Sequence, residues 1–173
     1  ADHRDPSDDL LGVLADNSDV TDTAWASEET RRQQLIEFRD RLTEAIAAEA
    51  TRAGTPTFKL DVAVPVGRLP ELLDTAGEVA GDDGCCRLLA FGHLAEGNVH
   101  LNFLGASDTG RITDRVLGQV VEMGGTISAE HGIGVAKAAH LHLIRGSGDL
   151  AAQRRVKSAL DPAGIMNPGV LGS

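Results

Sequence analysis

Tyrosine is absent from the 173 residues, and Trp25 is the single tryptophan. A surface that stacks nucleobases on aromatic rings has almost no material here. Positive charge is scarce too: 16 Lys and Arg stand against 26 Asp and Glu, a formal charge of −10. A phosphate backbone finds no counterpart in that balance, which excludes nucleic acid as a partner, and an anionic membrane surface fares no better. The only cysteines, Cys85 and Cys86, are adjacent. Neighbouring cysteines rarely pair, and two of them make no disulfide framework, so both read as structural residues in a reducing, cytoplasmic setting. Long apolar runs are also missing. Leu88 to Phe91 is far too short to span a bilayer, and no basic-then-apolar opening marks a signal peptide.

What is present is ordinary for a globular chain, with 42% hydrophobic and 24% charged residues. The length suits one domain over 1–173, its acidic stretch 1–9 read as a leader that frays or belongs to a linker. Leu10, Leu11, Val13 and Leu14 suggest a short helix capped by Ser7, and 19–24 an edge strand. A long helix is expected from a Ser27 cap to about Thr51, with Leu35, Phe38, Leu42 and Ile46 as its apolar seam. Phe58 to Val64 alternates as a half-buried strand does. A helix over 69–80, strands over 87–92 and 99–104, and a helix over 109–123 follow. Beyond a glycine-rich loop, Gly125 to Gly134, come helices over 135–144 and 149–159 and an irregular tail. Helices mix with antiparallel strands without a βαβ rhythm, so the class is α+β: an antiparallel sheet covered by helices, with a helical C-terminal segment. No Gly-x-Gly-x-x-Gly follows a strand, which argues against a dinucleotide held by these residues alone.

Two segments carry chemistry. In Gly92-His-Leu-Ala-Glu-Gly-Asn-Val-His-Leu-Asn102, a two-residue turn at Glu96-Gly97 would set His93 opposite His100. Both imidazoles would then leave one face, with Asn102 beside them. Spacing alone leaves open two unrelated surface histidines near a turn. In Ser128-Ala-Glu-His-Gly-Ile-Gly134, glycines allow close approach to another element. Glu130 could join His93 and His100 in a two-histidine, one-carboxylate set suited to Zn²⁺, with Mn²⁺ or Fe²⁺ as alternatives. His131 would remain unligated as a general base; the alternative is a solvated loop. Arg39 and Thr43, four apart on the long helix, share a face that borders its seam, and Lys59 lies on the polar face of the next strand. Together they could grip a carboxylate, or they are ordinary surface residues. His3, His140 and His142 are given no role.

Four ordered blocks resemble the C-terminal domain of FAD-linked oxidases of the vanillyl-alcohol oxidase type, a group that includes D-lactate, glycolate and D-2-hydroxyglutarate dehydrogenases. They are Lys59-Leu-Asp-Val-Ala-Val-Pro65, the Gly92–Asn102 segment, Gly124-Gly-Thr-Ile-Ser-Ala-Glu-His-Gly-Ile-Gly134 with Lys137, and Lys157-Ser-Ala-Leu-Asp-Pro-Ala-Gly-Ile-Met-Asn-Pro-Gly169. Arg39-Asp-Arg-Leu-Thr-Glu-Ala45 followed by Phe58-Lys-Leu-Asp61 looks most like the D-2-hydroxyglutarate group.

The resemblance implies a ferredoxin-like cap domain in which His93, His100 and Glu130 hold Zn²⁺. It implies further that Arg39, Thr43 and Lys59 hold the distal carboxylate of a 2-hydroxy acid with help from Asn102, and that His131 takes the hydroxyl proton. The chain would then be a partial C-terminal domain, with FAD bound mainly by an N-terminal domain not included in it. Alone it is expected to be inactive. The competing expectation is a non-catalytic metal-binding module that recognises small organic acids.

Overall fold

The computed structural model describes residues 6–18, 20–84 and 86–171. The expectations placed on His3, on Cys85 and on the start of the leader lie outside those residues. The chain divides into two compact units, one ending at Ala45 and one beginning at Ile46.

In the first unit, α1 covers Pro6–Ala15. Proline is well suited to a first helical position, and Asp8 and Asp9 complement the helix dipole there. The helix thus starts ahead of Ser7, the expected cap, and takes in residues 6–9. The edge strand expected around 20–24 is absent: residues 20–27 adopt no regular element. α2 covers Glu29–Asp40, and its N-cap is Glu28 in extended conformation, not Ser27.

The single long helix is in fact two. Arg41, with ψ near −5° against the −42° of a regular helix, separates α2 from α3, Leu42–Ala53. Its amide still reaches the Glu37 carbonyl and its carbonyl still accepts the Ala45 amide, so the break is one residue wide. The expected seam is buried only in its last part. Ile46 and Ala50 are buried, whereas Phe38 is 72% exposed and α2 buries nothing.

The second unit is built on a three-stranded antiparallel sheet in the order β1-β3-β2, with β1 at Thr57–Ala63, β2 at Arg87–His93 and β3 at Asn98–Leu104. Alternation sends Leu60, Val62, Val99, Leu101 and Phe103 to one face. There they meet Leu72, Ala76 and Val79 of α4, Leu69–Asp82, and Ile112, Val116, Leu117 and Val120 of α5, Thr109–Glu122. Most of these side chains are completely buried, and each of the larger ones contributes roughly 1.5–3 kcal/mol of burial free energy. α5 starts with a proper cap, the Asp108 carboxylate accepting the Arg111 amide at 2.9 Å.

The opposite face of the sheet is polar at its centre. Its rungs are Lys59–Asn102–Leu89, Asp61–His100–Phe91 and Ala63–Asn98–His93. One end is closed by Ile46 and Ala50 of α3, packed on Leu104, Leu89 and Phe91. The other end lies under the glycine-rich loop. That loop leaves α5 through Gly124 (φ 76°) and at once forms a paired bridge to β1, with Thr126 and Ala63 exchanging amide-to-carbonyl bonds of 2.8 and 3.1 Å.

Residues 135–144 do not form the expected α-helix. A 3-10 segment, Ala138–Leu143, stands there, preceded by a turn in which the Ala138 amide bonds the Val135 carbonyl. The tighter winding accompanies a Lys137 side chain drawn into the interior. α6 covers Ser147–Leu160, and the tail after it folds around the Asp161 carboxylate. Among the described residues, no helix is long and apolar enough to cross a membrane.

Candidate metal centre

The β2–β3 connection differs from the expected two-residue turn. A 3-10 turn, Leu94–Glu96, and Gly97 together make a four-residue link, so His93 faces Asn98 and Gly92 faces Val99. Gly97 explains the change. It adopts φ 69°, accepts the Val64 amide on its carbonyl, and lies so close to the Val64 carbonyl that a β-carbon would collide with it. The link is folded against the end of β1 and cannot close as a tight hairpin.

The correction has a simple geometric consequence. The register moves by two residues, and side chains alternate with period two, so every residue keeps its face. His93 and His100 still project together, now diagonally, with ring centroids 6.2 Å apart and planes nearly perpendicular. Phe91 is the residue opposite His100 and packs against its ring at 5.0 Å.

Glu130 and His131 reach this face from the loop. The Oδ2 atom of Asp61 accepts the backbone amides of Glu130 at 2.9 Å and of His131 at 3.3 Å. The Glu130 carboxylate then lies 3.6 Å from Nε2 of His93 and accepts Nδ2 of Asn98 at 2.5 Å. The His131 ring stands 5.9 Å from that of His100. Below the loop, the buried ammonium of Lys137 donates to the carbonyls of Asp61 at 2.7 Å and Ile127 at 2.6 Å. Burial pushes this amine below the ordinary lysine range, and the Asp61 charge opposes the shift.

His93, His100 and Glu130 each offer a ligand atom, all within 4.8 Å of one another. Asp61, His100 and His131 form a second such group. The two differ in access. The Asp61 side chain is 9% exposed and its Oδ2 is occupied by two amides, whereas His93 and Glu130 are 42% and 43% exposed. An ion that must also meet a substrate needs the open set.

Other expected site residues are arranged differently. Lys59 is exposed on the polar face, opposite Asn102. Asn102 is buried, and its Nδ2 donates to the carbonyls of Leu89 and His100 at 3.2 and 3.1 Å. Both amide hydrogens therefore serve the β2–β3 pair, leaving no donor for a carboxylate. Arg39 and Thr43 belong to the first unit, where Arg39 is exposed and pairs with the neighbouring Asp40 at 2.7 Å.

Sequence reasoning passed over Asp61, Asn98 and Lys137. Asp61 had a signal: it alternates with Lys59 on the polar face of β1. Asn98 had one only once the register was known. Lys137 had none in local pattern, because a buried lysine looks like an exposed one until the backbone carbonyls around it are located.

The family model described as FAD linked oxidases, C-terminal domain, matches residues 2–171. Curated relatives agree with it. A mitochondrial D-2-hydroxyglutarate dehydrogenase of Danio rerio is 32% identical over 92% of this chain and 30% of its own length. The D-2-hydroxyglutarate dehydrogenase of Stutzerimonas stutzeri is 32% identical over 87% and 33%. A probable mitochondrial D-lactate dehydrogenase of Danio rerio is 33% identical over 86% and 31%. The chain spans about a third of the length of these relatives.

Proposed function

This chain belongs to the family of FAD-linked oxidase C-terminal domains, and from that premise we propose that it is the metal- and substrate-binding part of an FAD-dependent dehydrogenase. The reaction is oxidation of a D-2-hydroxy acid to the 2-oxo acid, with D-2-hydroxyglutarate as first candidate and D-lactate or glycolate next. The observation that carries the reading is the convergence of His93, His100 and Glu130 within 4.8 Å beside an exposed His131.

Two imidazoles and one carboxylate with open faces fit Zn²⁺, and Mn²⁺ or Fe²⁺ in second place. A divalent ion held there would supply Lewis acidity toward the substrate hydroxyl. A flavin, held by a separate domain of the same or a partner chain, would supply the acceptor for the α-hydrogen and its electron pair. His131 accepts the hydroxyl proton on a ring nitrogen, and the loop amide bonds to Asp61 hold that ring beside the face of the sheet. Lys59, exposed on the polar face of the sheet, pairs with the carboxylate distal to the reacting carbon. Asn102, beside Lys59 across the β1–β3 ladder, ties β2 to β3.

The test is metal uptake followed by reduction of flavin. The purified chain binds about one Zn²⁺, and His93→Ala and Glu130→Gln each weaken that binding at least tenfold. Combined with a flavin-binding domain of the family, the chain supports bleaching of the flavin by D-2-hydroxyglutarate or D-lactate. Full-affinity Zn²⁺ binding in both variants sinks the metal assignment, and metal uptake with no bleaching by any 2-hydroxy acid sinks the catalytic one.

A further inference from the structure

The carboxylate of Asp61 is 9% exposed, although it sits in the middle of a face that carries three histidines. Its two oxygens do different things. Oδ2 accepts the amides of Glu130 and His131 from a loop far away in sequence. Oδ1 is buried, makes no hydrogen bond within the described residues, and lies 3.3 Å from Nδ1 of His100. The register places Asp61 directly opposite His100, so this approach is fixed by the β1–β3 ladder and not by a mobile side chain. Lys137 holds the same stretch of β1 from below, its ammonium bonded to the Asp61 carbonyl.

We propose that Asp61 is the positioning residue of the centre: it keeps the imidazole proton of His100 on Nδ1, leaving the Nε2 lone pair for the metal, while the same carboxylate pins the two loop residues. This rests on the proposed metal reading for its function, but the tautomer it assigns exists without any metal. An imidazole offers one lone pair, and the partner of its other nitrogen decides which one. An anionic oxygen can only accept, so the 3.3 Å approach closes into a hydrogen bond only when Nδ1 bears the hydrogen. No other carboxylate among the described residues is recorded within ion-pair distance of His100.

The variant that isolates this role is Asp61→Asn. One amide oxygen still accepts the loop amides, so the loop keeps its anchor. The NH2 group then faces Nδ1 of His100, and two donors cannot share that contact. The proton moves to Nε2, where the ligand lone pair had been.

The experiment records ¹⁵N–¹H correlation spectra of the metal-free chain at about pH 8, above the ordinary histidine range, for wild type and Asp61→Asn. Zn²⁺ affinity is measured on both by chelator competition. Wild type is expected to show His100 protonated on Nδ1, and the variant on Nε2 with Zn²⁺ binding about tenfold to a hundredfold weaker. His100 protonated on Nε2 in wild type overturns the proposal, as does unchanged Zn²⁺ affinity in a folded Asp61→Asn. If that variant fails to fold, the wild-type tautomer decides alone. If wild type binds no Zn²⁺, the metal reading fails, and the tautomer still judges the Asp61–His100 relationship by itself.

Discussion

Phe91 stands directly across the β2–β3 ladder from His100, its ring centroid 5.0 Å from the imidazole, and His93 lies one rung further toward the turn. The two histidines therefore approach the centre from different rungs, with an aromatic wall behind one of them. That offset leaves room for the loop carboxylate of Glu130, 3.6 Å from Nε2 of His93. A directly opposed pair would have brought the rings together without the wall.

The offset depends on Gly97. Its φ of 69° already disfavours a side chain, and a β-carbon would meet the Val64 backbone carbonyl, which cannot rotate away. Gly97→Ala is expected to lose about 2 kcal/mol or more of stability. Urea unfolding monitored by circular dichroism checks this. A variant within about 0.5 kcal/mol of wild type would show that the link can rearrange freely.

Much of this arrangement was legible because it depends on faces, not on registers. The alternation in β1 and the helical period of α4 and α5 place the core correctly. A two-residue error in the hairpin left His93, His100 and Asn102 on their proper side. What was not legible depends on contacts between distant segments. Asp61 gains its importance from amides 69 and 70 residues away, and Lys137 from carbonyls 76 and 10 residues away. The break at Arg41, the start of α1 ahead of Ser7 and the start of α2 after Glu28 have another origin. Cap preferences are worth only about 1 kcal/mol, so a neighbouring residue can displace the boundary easily.

Lys137 ties β1 to the base of the loop, so its removal should be felt at both. Lys137→Met fills similar volume but leaves the Asp61 and Ile127 carbonyls without their charged donor. The expected loss is about 2–3 kcal/mol, with faster amide hydrogen exchange at Glu130 and His131. Denaturant unfolding and exchange measured by NMR read the two effects. Unchanged protection at Glu130 and His131 would mean that the Asp61 carboxylate secures the loop without help from below.

Acid should loosen the tail. The Lys157 ammonium and the amides of Met166 and Ile165 hold the Asp161 carboxyl below the usual aspartate range. A carboxyl lowered on folding contributes stability that is complete above its unfolded value and is lost as pH falls through its folded value. The turn over 161–166 is therefore expected to persist through about pH 4, the ordinary Asp value, and to open only at lower pH. Exchange rates of the Ile165 and Met166 amides followed downward in pH test this, and Asp161→Asn should open the same turn at neutral pH.

His131 provides the sharpest separation between binding and chemistry. It is exposed, donates its backbone amide to Asp61, and lies outside the open ligand trio of His93, His100 and Glu130. Replacing its side chain in His131→Ala leaves that amide bond possible, so the loop and Glu130 should keep their positions. Zn²⁺ affinity is then expected to stay within about threefold of wild type, a difference under 1 kcal/mol. With a flavin-binding domain present, the rate of flavin reduction should fall by about 10²–10⁴, the usual contribution of a positioned general base. Glu130→Gln should do the reverse in order, losing metal first and rate as a result. If His131→Ala loses metal as readily as Glu130→Gln, the ion sits in the Asp61–His100–His131 group, and the proton acceptor must be sought among the residues of the other.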